Sequence, residues 1–348
     1  MAEKGISIEK IAQLAGCSKA TVSRALSGSV TVSSPLRQKI LEIARREHYR
    51  ESSRVVAILI SSHFMVGYAG RLCSALLKEL QNNRFRPLVI TLCDLELLDA
   101  IPLCGIIAIT YNPGIESWWG KNSNIPLVII NQFSNHIDGI FSVSSHIEQG
   151  VELAVNQLVK YGHRRIGRIA GEGLLYDGMT MIGTRQNAAF RRLCAQHGIE
   201  EHQTIAGYEF SPMMEQLKQL LDQKISALII QSPLSVPPVM HALKLLARRV
   251  PDELSVIAYS FPEDADFLDP PPCCIMEDFA EIAMQATLLL LRQLDGCSSL
   301  CDISVNYLFR YGASVRDVRD SFFFRLIHFI SSNRPSPPLT LNSKYGII

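Results

Sequence analysis

From Val55 to about Arg316 the chain alternates short apolar runs with amphipathic stretches, and this rhythm limits the fold more than any other feature. Val55–Ile60, Pro87–Leu92, Gly105–Thr110, Pro126–Ile130, Arg165–Ala170, Thr204–Gly207, Ala227–Ile230 and Leu254–Ala258 have strand length. Ala69–Asn82, Ile147–Tyr161, Arg185–His197, Met213–Gln223 and Val239–Ala247 carry apolar residues at helical spacing. Met276–Leu294 predicts one more long helix and Ile303–Phe309 one more strand. Strands alternating with helices predict α/β layers built on parallel sheets. Beyond Arg316 the rhythm stops and Ser331–Pro338 is rich in serine and proline, so residues 317–348 read as a poorly ordered tail.

The first 50 residues read differently, as three short helices. Ser7 caps the first, with Ile8, Ile11, Ala12 and Leu14 as its apolar positions. Ser18 caps the second, which turns Val22, Ala25 and Leu26 inward and ends at Ser27-Gly28-Ser29. Ser34-Pro35 starts the third as a cap followed by proline, with Leu36, Ile40, Ile43 and Ala44 inward. Ala12, Gly16 and Val22 have the spacing a helix-turn-helix needs. The alanine lets two helices approach, the glycine takes a left-handed turn, and the valine fills the angle between them. In such a motif the second helix enters the major groove. Here its exposed face carries Ser18, Lys19, Thr21, Ser23 and Arg24, hydroxyls for phosphates and cations for guanine edges. Charge agrees. Residues 1–60 hold ten Lys/Arg against five Asp/Glu, whereas the rest hold 24 against 28. A basic head on a mildly acidic body predicts that the head meets a polyanion.

Other features exclude rival classes. At 348 residues, with 47% apolar and 19% charged residues, the chain can bury a sizeable core. Its apolar runs fall short of the ~18 residues a membrane helix needs. Met1–Lys10 has no apolar segment of the secretory type, so an intracellular, cytoplasmic protein is expected. The nine cysteines are scattered without a CxxC, so neither a disulfide framework nor a metal site is expected. No GxxxxGK[ST], GxSxG, HExxH or GxGxxG is present, and His163, near a helix end, reads as a dipole-stabilising or capping residue rather than a base. No enzyme activity and no cofactor are expected.

Ile11-Ala12-Gln13-Leu14-Ala15-Gly16-Cys17-Ser18-Lys19-Ala20-Thr21-Val22-Ser23-Arg24-Ala25-Leu26 resembles the head of the lac-repressor-type (LacI/GalR) transcription factors, with Cys17 in place of a valine. Lys160–Ile166, Val250–Ile257 and Leu268–Pro271 resemble junctions of that family's body. The resemblance implies an all-α helix-turn-helix domain over 1–50 and a linker over 51–54. Over 55–316 it implies a two-lobed, periplasmic-binding-protein-like domain with two Rossmann-like parallel sheets, three crossovers and an effector cleft. The lobes are expected at about 55–161 with 275–296, and 162–270 with 299–316. It further implies that Lys19, Ala20 and Arg24 read bases, that Ser7, Ser18, Thr21, Ser23, Ser27 and Ser33 touch phosphates, and that the partners are operator DNA, a small-molecule effector and a second copy of the chain.

Two places depart from the family pattern. Only Arg50–Arg54 lie between Tyr49 and the first strand, so the hinge helix that inserts a leucine into the minor groove is missing. In the effector cleft the paired acidic and amide residues are replaced by Ser144-Ser145, Gln231-Ser232-Pro233 and Tyr259-Ser260-Phe261. Tyr68, Ser144, Arg185, Ser232 and Ser260 are the expected effector residues. The resemblance implies a repressor controlled by a sugar, sugar phosphate or nucleoside. The alternatives are a regulator whose cleft no longer binds a sugar and a solute-binding protein without DNA affinity.

Overall fold

The computed structural model describes residues 8–26, 32–46, 54–60, 67–109, 113–122, 125–131, 137–171, 179–206, 209–297 and 299–319. Three helices come first: α1 (Ile8–Ala15), α2 (Lys19–Leu26) and α3 (Ser34–Arg46). They enclose one small core of Ile11, Ala12, Ala15, Val22, Ala25, Ile40, Ile43 and Ala44. Leu14, expected inside, is exposed. The buried stripe runs 11, 12, 15, and position 14 falls off its edge.

After the head the chain passes between two compact units. Residues up to Ser145 and Phe279–Val305 form the first, and His146–Asp278 with Asn306 onward the second. The first unit contains β1 (Val55–Ile60), α4 (Gly67–Asn82), β2 (Arg86–Thr91), α5 (Leu97–Ala100), β3 (Gly105–Ala108), α6 (Pro113–Lys121), β4 (Leu127–Ile130) and β5 (Ile140–Ser145). In the second unit follow α7 (Ile147–Lys160), β6 (Arg165–Gly171), α8 (Met179–His197), β7 (Glu200–Ala206), α9 (Phe210–Asp222), β8 (Ala227–Ile230), α10 (Val236–Leu245), β9 (Ser255–Tyr259), α11 (Pro262–Ala265) and β10 (Cys273–Met276). Then α12 (Phe279–Leu294) and β11 (Ile303–Val305) return to the first unit, and β12 (Leu308–Arg310) ends in the second.

The first sheet has the order β11-β5-β4-β3-β1-β2 and is parallel throughout. The second has the order β12-β10-β9-β8-β6-β7, with only β12 antiparallel. Each sheet buries apolar side chains on both faces, against α4 and α12 on one side of the first sheet and against α7 and α8 on one side of the second. This is the two-sheet α/β body the alternation predicts.

Several expected boundaries shift. Helix α7 belongs to the second unit, not to a first lobe ending at 161, because it packs on α8 and shares its core. Strand β10 begins before residue 275 and lies in the second sheet. The expected strand Ile303–Phe309 is two strands, one in each sheet, so residues 299–305 leave the expected second lobe for the first. The break falls at Tyr307, whose N–H is taken by Gln149 Oε1 at 2.8 Å. At the tail, Val318 N–H donates to Tyr161 O at 2.9 Å, tying residues 317–319 to the end of α7, while 320–348 lie outside the described residues. Of the linker 51–54 only Arg54 is described, and its carbonyl accepts Arg86 N–H at 2.6 Å, extending the β1–β2 pairing.

Gly312 marks a tight point in the second unit. A Cβ there would lie 2.4 Å from Pro272 O and 2.5 Å from Pro271 O, both backbone atoms. Gly312→Ala must move the chain, and a loss of roughly 2 kcal/mol is expected from such overpacking. Urea unfolding checks it; an unchanged midpoint would show that the segment yields freely.

Candidate nucleic-acid interface and ligand residues

The reading helix is set by its turn. Gly16 adopts φ +72°, and nothing lies within 4 Å of the Cβ it lacks, so glycine is needed here for conformation and not for space. Cys17 N–H donates to Ala12 O at 3.0 Å, which closes α1. Lys39 Nζ donates to Ala15 O at 3.3 Å, placing a cation at the negative end of α1. Ser18 caps α2 as expected: Thr21 N–H donates to Ser18 Oγ at 3.1 Å, and the two hydroxyls lie 2.8 Å apart. The Ser18 hydroxyl is therefore engaged inside the protein before any phosphate arrives.

Lys19, Ala20 and Arg24 are exposed, and Thr21 is half-buried. Arg24 Nε donates to Ala20 O at 3.1 Å, and Lys19 Nζ pairs with Glu9 Oε1 at 2.5 Å. Both partners of that ion pair are more than half exposed, so water screens it and Lys19 can leave Glu9 at little cost. Ser33 is exposed, and its carbonyl accepts Arg37 N–H at 2.9 Å. Helix α3 thus already includes Ser34, so Ser33, and not Ser34 as the sequence suggests, stands at the N-cap position. Ser7 and Ser27 lie outside the described residues, and Ser23 lies on α2.

In the first unit the candidate ligand residues gather where β4 and β5 end. Tyr68, in the first turn of α4, is half-buried against Phe279 with rings 5.6 Å apart. Its hydroxyl accepts from Asn131 Nδ2 at 2.6 Å, and Asn131 Oδ1 accepts Ser145 N–H at 2.7 Å. Asn131, at φ +52°, is a residue the sequence reading missed. Its signal was an asparagine directly after an apolar strand, a residue that tolerates the left-handed region. Ser144 is buried on β5 opposite Ser304 of β11. Strand ends of this kind are where open α/β sheets take ligands.

In the second unit Arg185 on α8 does not stand alone. Its Nε and Nη2 reach Glu148 Oε1 and Oε2 at 2.7 and 2.6 Å. That two-point bond holds the Glu148 carboxyl below its usual range. Ser232 follows β8 and accepts Ser235 N–H at 3.0 Å on its carbonyl. Ser260 follows β9 and is buried, its N–H donating to Ile275 O at 3.2 Å. His163 takes part in the cap of α7 through its backbone, its N–H donating to Leu158 O at 3.0 Å, but its ring is placed for neither catalysis nor the helix dipole. It is fully buried, with Nδ1 3.0 Å from Ser226 Oγ and Nε2 3.2 Å from Arg316 O, and burial pushes its pKa down to about 4. Among the described residues no group of His, Cys, Asp and Glu is placed to hold a metal ion, and no helix is long and apolar enough to cross a membrane.

Residues 7–52 match the family described as bacterial regulatory proteins, lacI family. The head is a LacI-family helix-turn-helix domain. Behind this LacI-type head, residues 155–299 match the periplasmic binding protein-like domain. The HTH-type transcriptional repressor CytR of Escherichia coli (strain K12) is 26% identical over 334 residues, covering 84% of this chain and 91% of CytR. The ribose operon repressor of Haemophilus influenzae is 21% identical, covering 82% of this chain and 91% of its own. Among solved structures, the lac repressor dimer bound to operator and the anti-inducer ONPF has a TM-score of 0.66 at 18% identity, covering 90% of this chain and all of that one (100%). The transcriptional regulator CelR–cellobiose complex has a TM-score of 0.63 at 19% identity, covering 89% and 99%. The alignment with CytR runs through both the LacI-type head and the body behind it.

Proposed function

We propose that this chain is a sequence-specific transcriptional repressor whose hold on operator DNA is set by a small molecule bound in the body. The observation that carries the reading is the reading helix itself. A left-handed glycine and a serine cap fix α2 against α1, and Lys19, Ala20 and Arg24 stand exposed on it. Lys19 and Arg24 suit guanine edges, and the Ala20 methyl suits a thymine methyl. Ser7, Ser18, Thr21, Ser23, Ser27 and Ser33 supply the phosphate contacts. The effector is assigned to Tyr68, Ser144, Arg185, Ser232 and Ser260. Its class is a sugar, sugar phosphate or nucleoside, met at those strand ends by serine hydroxyls in place of paired carboxylates.

The working form is a homodimer in the cytoplasm, associated with the nucleoid. The lac repressor structure supports the dimer by analogy, as do large apolar side chains left exposed on the body, Met284 and Leu288 on α12 and Leu245 and Phe267 in the second unit. The linker, too short for a hinge helix, leaves no side chain to open a central base step, so little DNA bending is expected.

Selection of bound DNA from a random pool, followed by gel shifts, tests the reading. Arg24→Ala is expected to lower the preference for the selected site over random DNA by about 1–3 kcal/mol. Thr21→Ala is expected to weaken binding to both DNAs alike, because phosphate contacts carry no base information. Discrimination that survives Arg24→Ala would remove α2 from the groove.

A further inference from the structure

Arg168 sits midway along β6 and is 1% exposed. A guanidinium withdrawn from water needs a counter-charge or a full set of acceptors. Among the described residues it has neither. Nη1 donates to Gln231 Oε1 at 2.6 Å, Nη2 donates to Gln203 Oε1 at 3.0 Å and to Asn187 Oδ1, and the Phe190 ring lies 5.2 Å beneath. All three acceptors are neutral amides, and Nε–H has no partner. Glu201, the nearby carboxylate, is bound to Arg191 at 3.2 Å. Burial lowers the Arg168 pKa to about 10, so the charge remains at neutral pH.

Two more buried groups beside it, Gln231 Nε2 and Tyr259 Oη, complete no hydrogen bond among the described residues, although the Gln231 amide faces the Tyr259 oxygen. With Gln231 Oε1 committed to Arg168, its amide hydrogens are left to donate. Gln231 directly follows β8 and Tyr259 ends β9, and these strands are neighbours in the sheet. The unsatisfied donors therefore collect at the ends of two adjacent parallel strands. On that side Tyr307 stands edge-on to Tyr259 at 5.7 Å and donates to Glu277 at 3.3 Å, so this carboxylate is held by Tyr307.

We propose that Arg168, Gln231 and Tyr259 form a subsite for an oxyanion, the carboxylate or phosphoryl group of an acidic effector. The inference rests on the effector-responsive reading above and narrows it: the ligand carries a negative group, which a neutral sugar cannot supply. Arg168 provides the charge, and the Gln231 amide and the Tyr259 hydroxyl donate to the oxygens.

Thermal unfolding of the full chain at constant ionic strength tests it, with chloride, inorganic phosphate, glucose, glucose 6-phosphate and glucuronate as probes. The phosphate or carboxylate probes are expected to raise Tm by about 3 °C at ten times Kd, with chloride and glucose inert. Glucose 6-phosphate against glucuronate tells a phosphoryl from a carboxylate ligand. Gln231→Glu places a carboxylate against Arg168 and is expected to raise Tm without ligand and to abolish the response. Arg168→Met is expected to abolish it too. Equal shifts with glucose and its acidic derivatives, no oxyanion shift at all, or an unchanged response in Gln231→Glu would each overturn the subsite. Gel shifts on the same preparations separate the two readings. Operator binding without an oxyanion response rejects the subsite alone, and an oxyanion response without operator binding supports the subsite while rejecting the regulator.

Discussion

Val22→Asp is expected to abolish operator binding while both body units stay folded. Val22 is fully buried at the α1–α2 angle. Among the described residues the core it belongs to has eight buried side chains, four of them alanines, with Ile8, Cys17, Val32 and Leu36 packed against them. A domain of about 40 residues has little stability in reserve. A carboxylate placed there must ionise unpaired or stay protonated against its normal pKa, at a cost of several kcal/mol. The head then melts, and specific affinity falls by more than about 100-fold, since a 1.4 kcal/mol loss is already tenfold. The body has separate cores in its two units, so its calorimetric transition is expected to stay in place. Val22→Ala grades the same effect, with a loss of about 1–2 kcal/mol and partial binding. Full operator binding by Val22→Asp would mean that α1 and α2 are not held by this contact.

The second large effect is an acid instability seated in the second unit. His163 folds as the neutral ring, and burial sets its pKa to about 4. In the unfolded chain a histidine titrates near ~6.5. Between those values the unfolded chain binds the proton and the folded one does not, so stability rises with pH. The contribution is fully present above pH ~6.5 and is lost as pH falls toward 4, at ~1.4 kcal/mol per unit and about 3 kcal/mol in all. Melting curves from pH 7.5 to 4 on the wild type and His163→Asn check this. The variant is expected to be weaker at pH 7.5 and to lose less on acidification. Parallel slopes would show that the buried ring takes its proton without unfolding.

The sequence spelled out the head more completely than the body. Ala12, Gly16 and Val22 act over ten residues of chain, so local spacing determines their geometry, and all three stand where that spacing put them. Leu14 went wrong because one turn of α1 offers two apolar candidates, and only the packing of α3 decides between them. In the body, β5 was invisible. Ser142, Ser144 and Ser145 are polar by composition but buried, since tertiary pairing with β4 and β11 overrides their weak strand preference. The strand β10 hid in Cys273–Met276, a short run behind three prolines. The candidate ligand residues were legible as positions but not as contacts. Arg185 was visible, whereas Glu148, which holds it from 37 residues away in the chain, was not. Arg168 looked like one polar residue in an apolar strand, and only the fold surrounds it with amides.

The split of Ile303–Phe309 between the two sheets bears on the order in which a nascent chain can fold. The head is complete once Arg46 has been made, because its contacts are local. The first sheet is not. Its edge strand β11 and the covering helix α12 are synthesised only after nearly the whole second unit has appeared. Strands β1–β5 must therefore wait, with one face covered only in part by α4, through more than 130 residues of synthesis from His146 to Asp278. Pairings of such long sequence separation form slowly and leave apolar surface open to aggregation. A ribosome-bound chain truncated before Phe279 would thus carry a folded, DNA-competent head on a half-built first unit, the state in which holding chaperones have most to cover.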